Sequence, residues 1–246
     1  MGNHIKSELK KVLGEDLLEF CEAALELAPY VGDFLQSRKL NRLVSRLQEH
    51  QDKLKYIQKT AGESKNIELI QEKIGPIVFS DLIEEHEDAK VIYLLNGYEH
   101  SFINDSPNES LFINYFDTLR NLRYEDVRML FYIAGLGDNP FKEYAQESAE
   151  YAMSRQIYSK LERAYLIKSA SSIAYLENGP EVDESILRPV LSNYGIHFLE
   201  FVIEDFDRQK YAEQQKADHL AGEISVRFGA IEEEMKKPVT ATAILG

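Results

Sequence analysis

The sequence predicts a mainly α protein, a helical hairpin and bundle followed by a winged-helix-like module with a short β-hairpin. Three observations carry this. Apolar residues recur at helical spacing through most of the 246 residues. Helix breakers punctuate them at Pro29, Ala61-Gly62, Gly75-Pro76, Pro107 and Gly135-Leu136-Gly137. The run from Ser159 to Asp205 reads helix, strand, turn, strand, helix. That order names no chemistry, because one fold serves DNA binding, protein contact and plain packing.

Residues 1–62 form the predicted N-terminal apolar and basic hairpin. Lys6 to Gly14 reads as a short leading helix or arm. Leu17, Cys21, Ala24, Leu25 and Ala28 then share one helical face, which Leu18 and Phe20 widen. Pro29 bends or ends that helix, since it has no N–H and its ring meets the preceding turn. Arg38 to Lys59 is a second helix, with Leu40, Leu43, Leu47, Leu54 and Ile57 in a near-heptad pattern interrupted at His50-Gln51. Seven cations lie on it (Arg38, Lys39, Arg42, Arg46, Lys53, Lys55 and Lys59) against only Glu49 and Asp52. Two readings follow. The basic face is solvated or pairs with the acidic remainder of the chain. Alternatively, Arg38, Lys39, Arg42, Arg46 and Lys53 form a contact surface for an acidic protein partner or an anionic membrane.

Residues 66–108 form a middle helical segment. Its helices run over Asn66–Glu85, kinked at Gly75-Pro76, and over Asp88–Ile103. Asp81, Glu84, Glu85 and Asp88 fall at offsets 0, 3, 4 and 7. Carboxylates so spaced can share a helix side and hold a metal. Beside a helix terminus they read as a solvated acidic face. His197, Glu200 and Glu204 read as a polar edge of a packing helix, and no HExxH occurs.

Residues 110–205 are the winged-helix-like domain. Ser110–Leu122 is amphipathic, Arg123-Tyr124-Glu125-Asp126 punctuates it, and Val127–Ala134 begins the module. The glycines at 135 and 137 lack the strand context of a dinucleotide fingerprint, and no GxxxxGK[ST] is present. An intermediate helix is expected near Tyr144–Ala152 and a recognition-like helix over Arg155–Ile167. Strands are expected at Ile173–Leu176 and around Ile186-Leu187 to Val190-Leu191, with a turn at Asn178-Gly179-Pro180. Ser192 caps the last helix, through Phe198 and Ile203. On a DNA-reading module Arg155, Gln156, Lys160 and Arg163 would be the contacts. Glu177, Glu181, Asp183 and Glu184 in the wing oppose a nearby phosphate, so protein contact is the favoured use and nucleic acid the disfavoured one. Residues 206–246 are expected to be a charged helix and tail, an extension of the bundle, a surface for homo-oligomer contact or a partly mobile arm.

Composition narrows the function further. Apolar residues make up 44% and charged residues 28%, ordinary for a soluble protein. The formal charge is −14, and residues 1–60 carry +1 of it. Such an acid excess disfavours unspecific association with nucleic acid. Cys21 alone cannot form an internal disulfide. No signal peptide and no run of 18 apolar residues is visible, so a reduced cytoplasmic setting is expected. No triad spacing, phosphate loop, metal cluster or cysteine pair calls for an enzyme or a cofactor.

Several runs together resemble the bacterial Abi-alpha (abortive infection alpha) family. They are Ala28-Pro29-Tyr30-Val31-Gly32, the Arg-rich helix Arg38–Leu47, the Asp88–Phe102 helix and Leu119-Arg120-Asn121-Leu122-Arg123-Tyr124-Glu125-Asp126. The last is Leu191-Ser192-Asn193-Tyr194-Gly195-Ile196-His197-Phe198-Leu199. The resemblance spans residues 15–205 and implies a role in phage–host conflict. It implies no mechanism and no site residues.

Overall fold

The structure, a computed structural model, describes residues 3–27, 37–103, 108–145, 147–168 and 189–213. The chain divides into two compact units. One comprises Met1–Ser169 and Pro189–Phe206; the other comprises Ala170–Arg188 and Asp207–Gly246. The expected boundaries at 62–66 and 108–110 fall inside the first unit. The second is described only over 207–213, where Asp207 Oδ1 accepts the N–H groups of Gln209 and Lys210 and starts a helical turn.

Helices dominate the described residues. In chain order they are α1 (Asn3–Leu13), α2 (Glu15–Leu27), α3 (Ser37–Glu49) and α4 (Gln51–Glu63). There follow α5 (Ile67–Leu69), α6 (Gly75–Glu84), α7 (Val91–Ile103), α8 (Glu109–Asn121), α9 (Tyr124–Ile133), α10 (Ala149–Arg163) and α11 (Asn193–Val202). Gly14, at φ 80°, turns the chain between α1 and α2 in the left-handed conformation that glycine adopts without strain. The single basic helix of the sequence reading divides at His50 into α3 and α4. The expected kink at Gly75-Pro76 takes a specific form. A π turn, Ile70–Ile74, joins α5 to α6, and Gly75 N–H bonds Ile70 O. The wider turn lets Pro76, which has no N–H and whose ring would crowd an ordinary preceding turn, enter at the head of α6.

Helix α7 is the axis of the first unit and packs against α4, α6, α8 and α11. It is buried nearly all round, as expected of a helix that is apolar on most sides. Tyr98 contributes to an aromatic cluster with Phe20, Phe79 and Phe102. Gly97 supplies the groove for α11: a Cβ there would lie 2.6 Å from Phe201 Cε1. Helix α7 also satisfies the end of α11. Asn96 Nδ2 donates to Val202 O at 3.0 Å, and His100 Nδ1 donates to Phe201 O at 2.7 Å. A carbonyl only accepts, so the His100 proton sits on Nδ1. The last carbonyls of a helix have no partner within it, and these side chains provide one.

Strand β1 (Ile167–Lys168) pairs antiparallel with β2 (Val190–Leu191), Ile167 opposite Leu191 and Lys168 opposite Val190. Among the described residues β1 follows α10 and β2 precedes α11, and β2 falls at the expected Val190-Leu191. The described residues differ from expectation at two places. Among the described residues no separate helix occupies Tyr144–Ala152: Ser148 Oγ accepts Tyr151 N–H at 3.1 Å and caps α10, so residues 149–152 are its first turn. Strand β1 begins at Ile167, inside the expected recognition-like helix, because α10 closes early. Leu166 N–H bonds Leu161 O at 3.0 Å and Tyr165 N–H bonds Glu162 O at 2.9 Å, a Schellman closure with Tyr165 at φ 57°. The strands expected at Ile173–Leu176 and Ile186-Leu187, the turn at Asn178-Gly179-Pro180 and the acidic wing lie outside the described residues. Ser192 caps α11 as expected, its Oγ accepting Gly195 N–H at 2.9 Å. That hydroxyl also donates to Tyr165 O, tying the two helices at the strand pair.

Candidate functional site

The cations of α3 and α4 and the acids at 81–88 meet inside the fold. Arg46 is only 3% exposed. Its Nε and Nη2 reach Asp88 Oδ1 at 2.9 and 2.5 Å, Nη1 reaches Leu82 O at 2.6 Å, and Nη2 reaches Glu85 O at 2.8 Å. The guanidinium thus closes the C-terminal end of α6, where unpaired carbonyls and the helix dipole favour a cation. Lys39 pairs with Glu84 at 2.5 Å. Lys53, nearly buried, pairs with Glu99 at 2.5 Å and Glu204 at 3.4 Å. Arg42 is exposed and reaches Glu85 O at 3.4 Å; the Arg38 side chain is outside the described set. The expected contact surface is therefore largely an internal seam.

The acidic face is corrected in the same way. Asp81 takes Arg120 through both carboxylate oxygens, at 2.7 and 3.0 Å. Burial holds the Asp81 carboxyl above its usual range despite that arginine. Glu85 Oε2 holds the buried Lys90 at 2.5 Å. Burial would raise the Glu85 carboxyl, but Lys90 and the Glu87 and His86 N–H groups outweigh it and hold it below the usual range. Among the described residues no group of three metal-ligating side chains comes together. The expected polar edge at His197 and Glu200 is a 2.8 Å pair.

The four residues expected on a recognition-like helix do converge. Arg155, Gln156, Lys160 and Arg163 line one groove of about 540 Å³ with Ser159, Met153, Ile157, Arg123 and Asp126. At about 100° per residue, positions 155, 156, 159, 160 and 163 fall within an arc of roughly 140° on α10. The opposite face, with Ser154, Ile157 and Leu161, is buried. Arg123, Arg155, Gln156, Ser159 and Arg163 are exposed. Asp126 is the one carboxylate among the described lining residues, and it is 3% exposed. Its Oδ2 accepts the Arg123 N–H at 2.7 Å, starting α9, and also holds the Lys160 ammonium. The groove thus presents three guanidinium groups, while its lysine is matched by a carboxylate in its floor.

The sequence assigns Arg123 and Asp126 no site role; their tetrapeptide punctuates two helices and ends one of the runs that carry the family resemblance. The signal that finds them is the spacing of an acid three residues into a helix, which aims a carboxylate back at the helix start. That spacing says where Asp126 points, though not that a lysine from α10 arrives there. None of the family models, curated proteins or solved structures compared with this chain matches it.

Proposed function

We propose that this is a non-enzymatic protein that acts by contact, with the α10 groove as the surface that meets an anionic partner. In this reading α9, α10 and the β1–β2 pair are the core of a winged-helix-like module. The observation that carries it is the grouping of Arg123, Arg155 and Arg163 around one exposed groove, while Lys39, Arg46 and Lys53 are engaged internally. A membrane contact through α3 is the weaker reading. A juxtamembrane cation contributes about 1 kcal/mol at an anionic surface, and burial of Arg46 and Lys53 takes two from the set. The setting, phage–host conflict in the cytoplasm by abortive infection or prophage-encoded immunity, rests on the resemblance of residues 15–205.

The test is a plating assay with the full chain expressed in a bacterial host challenged with a phage panel. Wild-type protein is expected to lower plating of at least one phage, and R123E/R155E/R163E to restore it to the level of the empty vector. Full restriction by the triple variant, expressed and folded, would remove the groove from the mechanism.

A further inference from the structure

We infer that the α10 groove takes the phosphodiester backbone of double-stranded DNA with an effective charge of three, because Asp126 cancels the contribution of Lys160. This rests on the groove being the contact surface. The charge follows from the geometry. Arg123, Arg155 and Arg163 line the groove and are exposed. Lys160 lines it too, but its ammonium is bound to the buried Asp126 carboxylate, which also accepts the Arg123 N–H. A cation already neutralised displaces no counterion from a phosphate.

The chemistry of the lining selects the occupant. Arginine offers a planar fork of donors that matches phosphate oxygens, and it stays charged at any working pH. Gln156 and Ser159, lying between the arginines on α10, add neutral hydrogen-bonding groups of the kind that position a protein on a duplex. Single-stranded nucleic acid is held largely by stacking on aromatic rings, and the described lining includes none. A protein partner needs an apolar centre, yet Met153 is the one exposed apolar residue in the lining. The acidic total does not oppose this at close range, because at physiological salt a charge more than ~8 Å away is largely screened. It keeps the affinity low and strongly dependent on salt.

The experiment is fluorescence anisotropy of a labelled mixed-sequence DNA duplex with the full chain, repeated over a range of salt. Three phosphate contacts predict that log K falls against log salt with a slope of about −2.7. R155Q and R163Q, both at exposed positions, are each expected to make that slope shallower by about 0.9. K160Q/D126N, which removes the matched pair together, is expected to leave it unchanged. D126N, which frees Lys160, is expected to steepen it to about −3.6 and to tighten binding. Binding absent at low salt, or a slope indifferent to R155Q and R163Q, would overturn the proposal. So would tighter binding to single-stranded DNA, polyglutamate or phosphatidylserine vesicles. An unchanged slope in D126N would overturn the role of Asp126. Should D126N fail to fold by circular dichroism, the wild-type slope decides, and a value of about −3.6, that of four active cations, would sink it. Loss of phage restriction with DNA binding intact fails the biological setting alone. Restriction that depends on the groove without DNA binding fails the DNA assignment alone.

Discussion

Tyr165 holds φ at 57° and is 77% exposed, occupying the place in a helix-ending motif where Gly135 (φ 73°) closes α9. A Cβ in that left-handed region costs about 1 kcal/mol. Tyr165→Gly is therefore expected to stabilise the protein by about 1 kcal/mol, raising its melting temperature by about 2–4 °C. Thermal unfolding followed by circular dichroism measures this. Arg46 works in the opposite direction. Removing it takes the Arg46 donor from the Leu82 carbonyl, leaves the Glu85 carbonyl only the 3.4 Å contact of Arg42, and leaves Asp88 without its partner, so Arg46→Leu is expected to cost about 3 kcal/mol in urea unfolding. Glu85 gives a pH signature. Its folded pKa is lowered, so its contribution is complete above the usual 4.5 and is lost as pH falls through the folded value. Glu85→Gln should flatten the acid limb of a stability–pH profile and lower stability at neutral pH, since Lys90 is 1% exposed and loses its counter-charge. What the sequence revealed here depended on distance along the chain. Ser192 was legible as a cap because its partner lies three residues on. Arg46 and Asp88 were not, because charge is visible in a sequence and a partner 42 positions away is not.

Two glycines separate close approach against backbone from close approach against a side chain. A Cβ on Gly195 would lie 1.9 Å from Leu166 O, so α11 sits directly on the backbone leading into β1. The Leu166 carbonyl also accepts Ser192 N–H at 2.9 Å and cannot withdraw without breaking that bond. Gly97 meets the edge of a ring, which can tilt. Gly195→Ala is expected to cost about 3 kcal/mol and Gly97→Ala about 1–2 kcal/mol, with urea midpoints in that order. Helices were legible at this scale, α2, α8, α9 and α11 within a few residues, because each repeats its apolar face over more than two turns. Strands of two residues carry no period, and their pairing depends on where α10 stops. The helix expected at 144–152 failed for a related reason: Tyr144 is exposed, and Ser148 rather than the apolar spacing sets where the next helix begins.

Across the whole molecule the uneven charge of the sequence becomes stitching between α3–α4 and the acids of α6 and α7. Half-exposed pairs such as Lys39–Glu84 contribute little each and weaken with salt. Lys53–Glu99 and Lys90–Glu85 are enclosed, so unfolding is expected to depend only weakly on salt. The groove groups three outward-facing arginines, and its four α10 residues were legible because one helix presents them together. Arg123 was not, since it arrives from another helix. The fit of α11 against α7 has a consequence for synthesis. Asn96 and His100 bind carbonyls 106 and 101 positions further on. At about 5–20 residues per second a ribosome needs roughly 5–20 s to deliver them. For that interval the slot at Gly97 stands open on the nascent chain, a period in which a chaperone could hold the emerging bundle.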